Sequence, residues 1–166
     1  MHFREATAGD SPEIARIYNE GIEDRVATFE IRLRSSAEVE RWFDGAHPIV
    51  IVEEEGKVIA FAASFSYRSR PCYAGIAEVS VYVDRQRRLQ GAGRMALGAL
   101  LAAAERAGFW KLVSRIFPEN RPSRALVRAL GFREVGAYEK HARLDGAWRD
   151  VIIVERLIPA NLTGAG

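Results

Sequence analysis

The sequence predicts an α/β (α+β) protein in which a mixed β-sheet of about seven strands is flanked by four helices. The first supporting observation is the order of patterns, which runs strand, two helices, three strands, helix, strand, helix and two strands. The second is the alternation of "IAEVSVYV", residues 76–83, which is typical of a half-buried strand. The third is the length of 166 residues with 48% hydrophobic content, which fits one domain over residues 1–166.

The first half of the chain is predicted to contain one strand, two helices and a hairpin. "HFREAT" opens as a short strand, and "AGDSPEIARIYNEGI" carries the first helix, which Asp10 or Ser11 can cap. After a loop, a second helix begins at Ser35 or Ser36 and continues through Phe43. "PIVIVEEEGKVIAFAASF" predicts two strands that turn at the "EG" pair.

The strand of residues 76–83 leads into the second half. The next helix begins at Gly91 or Gly93, runs to about Ala107 and ends at Gly108. "FWKLVSRIF" predicts a strand, "NRPSRALVRALGF" a short helix, and "YEKHARLDGAWRDVIIVERL" two final strands.

A period of two divides the side chains of the 76–83 strand into two faces. One face carries Ala77, Val79, Val81 and Val83, and the other carries Ile76, Glu78, Ser80 and Tyr82.

Composition argues against several classes of function. The formal net charge is only +2 and carboxylates interrupt the cations, so the pI of 8.9 does not indicate nucleic-acid binding. Cys72 is the single cysteine, which excludes an internal disulfide and suits a reducing compartment. No run approaches the ~18 apolar residues of a membrane span, and no signal-peptide pattern is present. We therefore expect a cytoplasmic protein without nucleic-acid or membrane partners and without a bound metal.

Residues 87–95, "RRLQGAGRM", place three arginines around the predicted start of a helix. Cations at this position oppose the helix dipole, which favours negative charge. A glycine-containing turn also presents free N–H groups, so a bound phosphate or pyrophosphate would remove the conflict. The alternative is a solvated basic helix start whose glycines serve only the turn. The P-loop and Gly-x-Gly-x-x-Gly patterns are both unmet, which argues against nucleotide hydrolysis and Rossmann redox chemistry.

The stretch from Arg88 to Gly93, "RLQGAG", resembles the acetyl-CoA signature of the GNAT superfamily of N-acetyltransferases, Arg/Gln-x-x-Gly-x-Gly/Ala. The resemblance extends from about Phe3 to Leu157 with the same order of elements. Within the superfamily, "IYNEGI", "ATFE", "AEVSVYVDRQRRLQGAG", "NRPSRALVRALGF" and "LDGAWRDV" resemble the phosphinothricin acetyltransferase group. The tail from Tyr138 to Leu157 is similar to the branch that acetylates arsinothricin.

The resemblance implies an acetyl-CoA-dependent N-acetyltransferase with Glu78 as its general base. A free α-amino acid is mostly an ammonium at pH 7, so a base must remove a proton before the nitrogen can attack. The alternative for Glu78 is a surface carboxylate on a half-exposed strand, and the alternative for Asn120 is a simple helix cap. The residues implied to bind the cofactor are Val81, Val83, Arg88, Gly91, Gly93, Arg94, Asn120 and Ser123.

The candidate acceptor-binding residues lie in two stretches. The arginines of "FSYRSRPCYA" suit the carboxylate, phosphinate or arsinate oxygens of an acidic amino-acid analogue, although a solvated loop is the alternative. "ATFE" matches the first substrate loop of the resembling enzymes. The predicted residues are Tyr67, Arg68, Arg70 and Tyr73 in one stretch and Thr28, Phe29 and Glu30 in the other.

Two positions depart from the resembling enzymes. Val127 stands where many members carry a tyrosine that protonates the departing thiolate, so the general acid stays open between Tyr138 and solvent. Arg149 stands where phosphinothricin acetyltransferases have histidine, so no catalytic histidine is carried over. His141 is expected to be a solvent-facing strand residue.

The leading hypothesis is acetylation of the α-amino group of phosphinothricin, methionine sulfoximine or arsinothricin, which would give resistance to such compounds. One rival is protein N-terminal or lysine acetylation, which requires an open peptide groove. Another is a non-catalytic module that binds CoA or nucleic acid through Arg85 to Arg94. The resemblance further implies a homodimer, whose interface could include the final-strand segment "VIIV".

Overall fold

The computed structural model describes residues 1–163, which form a seven-stranded sheet with helices on both faces. This architecture confirms the predicted fold class and the predicted order of elements. The strands are β1 (His2–Glu5), β2 (Ile49–Glu54), β3 (Lys57–Ser66), β4 (Ile76–Val83), β5 (Lys111–Ile116), β6 (Arg133–Leu144) and β7 (Ala147–Leu157). The helices are α1 (Ser11–Asp24), α2 (Ser36–Glu40), α3 (Ala92–Arg106) and α4 (Arg121–Ala129).

The strand order across the sheet is β1-β2-β3-β4-β5-β7-β6. Every neighbouring pair is antiparallel except β4 and β5, which run parallel. Their register joins Ile76 to Lys111 and ends where Glu78 faces Val113. Each strand continues beyond this point without pairing to the other, so β4 and β5 diverge and open a cleft in the middle of the sheet.

The two faces of the sheet have separate cores. On one face α3 packs against β2, β3 and β4, and its Leu97 and Leu100 are fully buried. Burial of each such leucine contributes about 1.5–3 kcal/mol. On the other face α1 and α2 cover Ile51 and Phe61. The period of two in β4 therefore separates the side chains as predicted, with the valines towards α3 and Tyr82 towards α1.

Helix α2 is shorter than the sequence predicts, because it ends at Glu40 and not beyond Phe43. After Glu40 the backbone tightens into i→i+3 bonds, in which Trp42 N donates to Val39 O at 2.9 Å and Phe43 N to Glu40 O at 3.1 Å. Both aromatic rings then pack against the core of that face. The period that suggested a longer helix thus belongs to core contacts made just after the helix ends.

The segment "VIIV", residues 151–154, lies in β7 between β5 and β6. Val151 and Val154 are buried, and Ile152 and Ile153 pack against the cores of this same chain. Half of the segment is therefore buried in this chain's own cores, and the partly exposed Ile152 and Ile153 are the residues through which it could still take part in an interface.

Candidate active site

The cleft between the diverging strands is the candidate active site. Its wide part has a volume of about 510 Å³ and extends from β4 to the start of α3 and the start of α4. A smaller cavity continues it between β4 and β5, and the two share residues such as Val81, Tyr82 and Asn120. Of the predicted cofactor residues, the wide part is lined by Val81, Val83, Arg88, Gly91, Gly93, Arg94, Asn120 and Ser123.

A side-chain hydrogen bond fixes the point at which the strands separate. Ser114 Oγ on β5 donates to the carbonyl oxygen of Val79 on β4 at 2.8 Å, one residue beyond the last parallel pair. Both residues line the smaller cavity. This hydrogen bond holds β4 and β5 together where they begin to separate. Beyond it, the backbone edge of β4 is open to the cleft.

Two glycines shape the start of α3. Gly91 is the N-cap residue with φ of +93°, a left-handed conformation that favours glycine, and no side chain caps the helix. At Gly93 an added Cβ would lie 3.3 Å from Val83 and 3.4 Å from Leu126. The helix start thus offers uncapped N–H groups beside a closely packed wall, which suits the pyrophosphate of acetyl-CoA.

The arginines before α3 are already paired with carboxylates. Arg88 Nη2 lies 2.7 Å from Asp24 Oδ2, and Arg85 pairs with Asp24 at 2.8 Å and also with Glu23. The Arg85 guanidinium, followed by that of Arg88, lowers the pKa of Asp24. Arg87 pairs with a further carboxylate, that of Glu54. The carboxylates of Asp24, Glu23 and Glu54 thus offset part of the positive charge before α3.

Asn120 has two contacts at the opposite wall. Its Oδ1 accepts from Ser123 N at 3.3 Å, which caps α4, and its Nδ2 donates to Val26 O at 3.2 Å. Asn120 and Ser123 line both parts of the cleft. Asn120 therefore caps the helix and also lies on the wall of the cleft.

Glu78 lies at the last parallel pair of β4, on the face opposite the valines. Its side chain is 29% exposed, and Oε1 lies 3.3 Å from Nε of Arg115 on β5. Arg115 in turn lines the smaller cavity with Ser80 and Tyr82. A partly exposed carboxylate beside the cleft is thus joined to a cation that the sequence analysis did not single out.

Sequence reasoning also missed a pair of partly buried phenols. Tyr82 lines both parts of the cleft, and its ring meets the ring of Tyr18 edge to face at 5.1 Å. Burial raises the pKa of both tyrosines, so both phenols stay protonated at neutral pH. The alternation of β4 placed Tyr82 on the same face as Glu78, and this pattern was the available signal.

The first acceptor stretch packs against the far end of β5. Phe29 meets Phe117 edge to face at 4.9 Å, and Arg149 places its guanidinium carbon 4.4 Å from the centre of the Phe117 ring. Thr28 Oγ1 accepts from Glu30 N at 3.1 Å within the loop. Phe117 and Arg149 line the wide part of the cleft, so the loop borders the cleft through Phe29.

The second acceptor stretch forms a separate cluster outside both cavities. Arg68 lies over the Tyr67 ring at 4.8 Å, and Tyr67 meets Tyr73 edge to face at 6.0 Å. Arg68, Arg70 and Tyr73 are exposed, Tyr67 is partly buried, and none of the four lines either cavity. The strand pairing of Ser66 with Ala77 nevertheless places this loop at the end of β4 that carries Glu78.

The structure shows where the residues considered for the general acid lie relative to the cleft. Val127 is buried and lines the smaller cavity, where it offers no proton. Tyr138 is 51% exposed on β6, beside the ring of His141 and outside both cavities. His141 is exposed, as expected. Neither Val127 nor Tyr138 is therefore placed to protonate a departing thiolate in the cleft.

Within residues 1–163, no group of three or more histidine, cysteine, aspartate or glutamate side chains could hold a metal ion. None of the helices in that same range is long and apolar enough to cross a membrane.

Comparison with known proteins places this geometry in a family. The model of the acetyltransferase (GNAT) family matches residues 14–132, which include the divergence of β4 and β5 and the start of α3. The chain belongs to this GNAT family. It is an N-acetyltransferase by this membership, in agreement with the enzyme class expected from the sequence.

Individual relatives cover almost the whole chain. An L-methionine sulfoximine/L-methionine sulfone acetyltransferase of Pseudomonas paraeruginosa is 29% identical over 92% of this chain and 92% of its own. The structure of a phosphinothricin acetyltransferase from Sinorhizobium meliloti in complex with acetyl-CoA is 30% identical, with a TM-score of 0.89 over 99% of this chain and 92% of that chain. A ribosomal-protein-alanine N-acetyltransferase structure from Brucella melitensis is 28% identical, with a TM-score of 0.90 over 95% of this chain and 100% of that chain.

Proposed function

We propose that the protein transfers the acetyl group of acetyl-CoA to the α-amino group of a small amino-acid analogue of the phosphinothricin, methionine sulfoximine or arsinothricin type. The observation that carries the proposal is the position of Glu78, a partly exposed carboxylate at the divergence of β4 and β5. The names of the relatives from Pseudomonas paraeruginosa and Sinorhizobium meliloti support the acceptor class.

The chemistry follows from the groups around the cleft. Glu78 removes a proton from the acceptor ammonium, directly or through water, and the freed nitrogen attacks the thioester carbon. A C–N bond forms and the C–S bond breaks. The nitrogen releases its second proton to water to give the neutral amide, and the departing thiolate takes a proton from water. The backbone of Val81 and Val83 would hold the pantetheine arm, while Arg88, Arg94 and the uncapped start of α3 would hold the pyrophosphate.

The biological role that we propose is detoxification, since acetylation removes the charge of the α-ammonium of a toxic amino-acid analogue. Dependence on acetyl-CoA and the single cysteine fit action in the cytoplasm. We also propose a homodimer formed along β6, which is one of the two edge strands of the sheet and exposes Val135 and Tyr138. Size-exclusion chromatography with light scattering gives one chain or two and tests the dimer directly.

The decisive experiment measures thiol release from acetyl-CoA with a panel of acceptors. L-phosphinothricin, L-methionine sulfone and arsinothricin represent the proposed class, and a peptide with N-terminal alanine represents the rival that the Brucella melitensis structure favours. We expect turnover with the small analogues and little with the peptide. Preference for the peptide would contradict the proposal.

The role of Glu78 is tested in the same assay with Glu78→Gln. We expect kcat to fall by about 10²- to 10⁴-fold, because the amide cannot accept the ammonium proton. Acetyl-CoA affinity, measured by calorimetry, should stay unchanged. A variant that keeps the wild-type rate would exclude Glu78 as the base.

A further inference from the structure

Arg115 lies beside the proposed base, in a position that bears on how the acceptor is recognised. It lies on β5 two residues beyond the last parallel pair, on the same face as Glu78. Its Nε lies 3.3 Å from Glu78 Oε1, and its side chain is 41% exposed. Glu78 is its only ion-pair partner in the described part of the chain.

Stability gives little reason for an arginine at this position. A partly exposed pair of this kind contributes about 0–1 kcal/mol, and the Arg115 side chain donates no hydrogen bond to another group within residues 1–163. Its side chain instead lines the smaller cavity with Ser80, Val81 and Tyr82. Most of its five N–H donors are therefore available to a molecule that enters beside Glu78.

The pair is complementary to the head of an α-amino acid. Such a molecule carries an ammonium and a carboxylate on the same carbon, and Glu78 and Arg115 present the opposite charges side by side. Resting on the proposed function, we infer that Arg115 binds the α-carboxylate of the acceptor while Glu78 takes the proton of the α-ammonium. Arg115 is then the residue that selects α-amino acids over amines that lack the carboxylate.

Two other arginines considered for the acceptor are engaged elsewhere. Arg149 lies against the Phe117 ring and pairs with Glu119 at 3.2 Å. Arg68 lies on Tyr67 in the exposed cluster outside the cavities. Arg115 is the guanidinium in direct contact with the proposed base, so a carboxylate bound there leaves the adjacent α-nitrogen within reach of Glu78.

The test compares L-methionine sulfone with its α-carboxamide, which keeps the amine and removes the negative charge. With wild-type protein we expect kcat/KM for the acid to exceed that for the amide by about 10- to 100-fold, the value of a hydrogen bond to a charged group. In Arg115→Met we expect kcat/KM for the acid to fall by about this factor, and kcat/KM for the amide to change by less than about threefold. The different basicity of the two amines cancels, because each substrate is compared between variants.

The matched control is Arg133→Met. Arg133 is also an exposed strand arginine paired with a glutamate, Glu155, but it lies on β6 outside the cleft. It should leave the acid-to-amide ratio at the wild-type value. Arg115→Gln serves as a second variant should Arg115→Met fold poorly, and KM for acetyl-CoA should stay unchanged in both.

The possible results separate the inference from the function beneath it. Collapse of the acid-to-amide ratio in the Arg115 variants supports the inference. An unchanged ratio, or an equal fall with both substrates, overturns it, since Arg115 would then be dispensable or would act only on Glu78. Wild-type protein that acetylates neither substrate nor any other member of the acceptor panel overturns the proposed function as well.

Discussion

Ser114 determines how the backbone of β4 is held at the point where the cofactor is proposed to pair with it. Its hydroxyl donates to Val79 O at 2.8 Å across the start of the divergence. Replacement by alanine removes the donor without changing the apolar packing nearby. We expect Ser114→Ala to raise KM for acetyl-CoA about 3- to 10-fold and to lower the free energy of unfolding by about 1 kcal/mol.

The matched control for this prediction is Ser64→Ala. Ser64 also lies in a strand and also donates to a backbone carbonyl, Pro48 O at 2.7 Å, but it is fully buried and lines neither cavity. We expect Ser64→Ala to lower the free energy of unfolding by about 1 kcal/mol and to leave KM for acetyl-CoA unchanged. Steady-state kinetics and urea unfolding of both variants test the prediction. If KM for acetyl-CoA is the same in Ser114→Ala and in the wild type, the hydrogen bond from Ser114 to Val79 does not affect cofactor binding.

At the level of single residues, the sequence predicted positions better than contacts. Gly91, Gly93, Arg94 and Asn120 line the cleft as the motif implied. The contact between Glu78 and Arg115 was not predicted, because it depends on the register between β4 and β5. Periodicity within one strand assigns each side chain to a face, but only the pairing of two strands decides which side chains meet.

Among the elements, the approach of α1 to β4 depends on Gly21. An added Cβ there would lie 2.6 Å from two ring atoms of Tyr82. That ring has little room to move, because it meets Tyr18 edge to face and stacks on Phe61 at 5.5 Å. Gly21 thus allows the helix to lie close against a wall of the cleft.

We expect Gly21→Ala to lower the free energy of unfolding by about 1–2 kcal/mol. Overpacking costs about 1–3 kcal/mol, and the better helix propensity of alanine offsets up to about 1 kcal/mol of it. Displacement of Tyr82 should also lower kcat/KM for the acceptor.

Gly98→Ala is the control, since it lies within α3 and an added Cβ there meets nothing within 4 Å. Its free energy of unfolding should increase by about 0.5–1 kcal/mol. Chemical denaturation of the two variants should therefore give changes of opposite sign. A Gly21→Ala protein as stable as the wild type would mean that α1 can move away from Tyr82 at little cost.

The kinds and the order of the elements were predictable because each has a strong local period. The limits of α2 were not, since Trp42 and Phe43 continue an apolar pattern after the helix has ended. The parallel pairing of β4 and β5 ends at Glu78, although the period of two continues to Val83. The length over which two strands pair is a tertiary property, and it creates the cleft.

Across the whole molecule, ion pairs between carboxylates and basic groups join distant segments. Arg4 on β1 lies 2.9 Å from Asp10 and 2.7 Å from Glu53 on β2, and it lowers the pKa of both carboxylates. The pKa values of Asp24, Asp84, Glu134 and Glu155 are also lowered in the folded protein. These carboxylates stabilise the fold when ionised, so acid is expected to weaken it.

Asp84 is the most buried of these groups and connects three segments. Its Oδ2 lies 3.0 Å from Nη1 of Arg16 on α1 and 3.7 Å from Nζ of Lys57 on β3. Its Oδ1 accepts from Gln86 N at 2.9 Å, in the turn that leads to the arginines before α3. Burial acts to raise the pKa of Asp84, but the bonds from Gln86 and Arg16 prevail and lower it below the ordinary value of 3.8.

We expect wild-type stability to be nearly constant from about pH 6 to pH 8 and to fall progressively below about pH 5. The folded pKa values lie below the unfolded ones, so the unfolded chain binds protons first as the pH falls. At pH 7 Asp84→Asn should lower the free energy of unfolding by about 1–3 kcal/mol, the value of a hydrogen bond to a charged group. This difference should shrink towards pH 3, because Asp84 of the unfolded wild-type chain takes up its proton at a higher pH than Asp84 of the folded protein.

Glu40→Gln is the matched control for the pH series. Glu40 is exposed on α2, and its carboxylate has no ion pair or hydrogen bond to any described side chain or backbone group. Its unfolding curve should follow that of the wild type at every pH. A constant difference between Asp84→Asn and wild type from pH 7 to pH 3 would show that the charge of Asp84 does not stabilise the fold. A converging difference would assign part of the acid sensitivity to the junction of α1, β3 and the turn before α3.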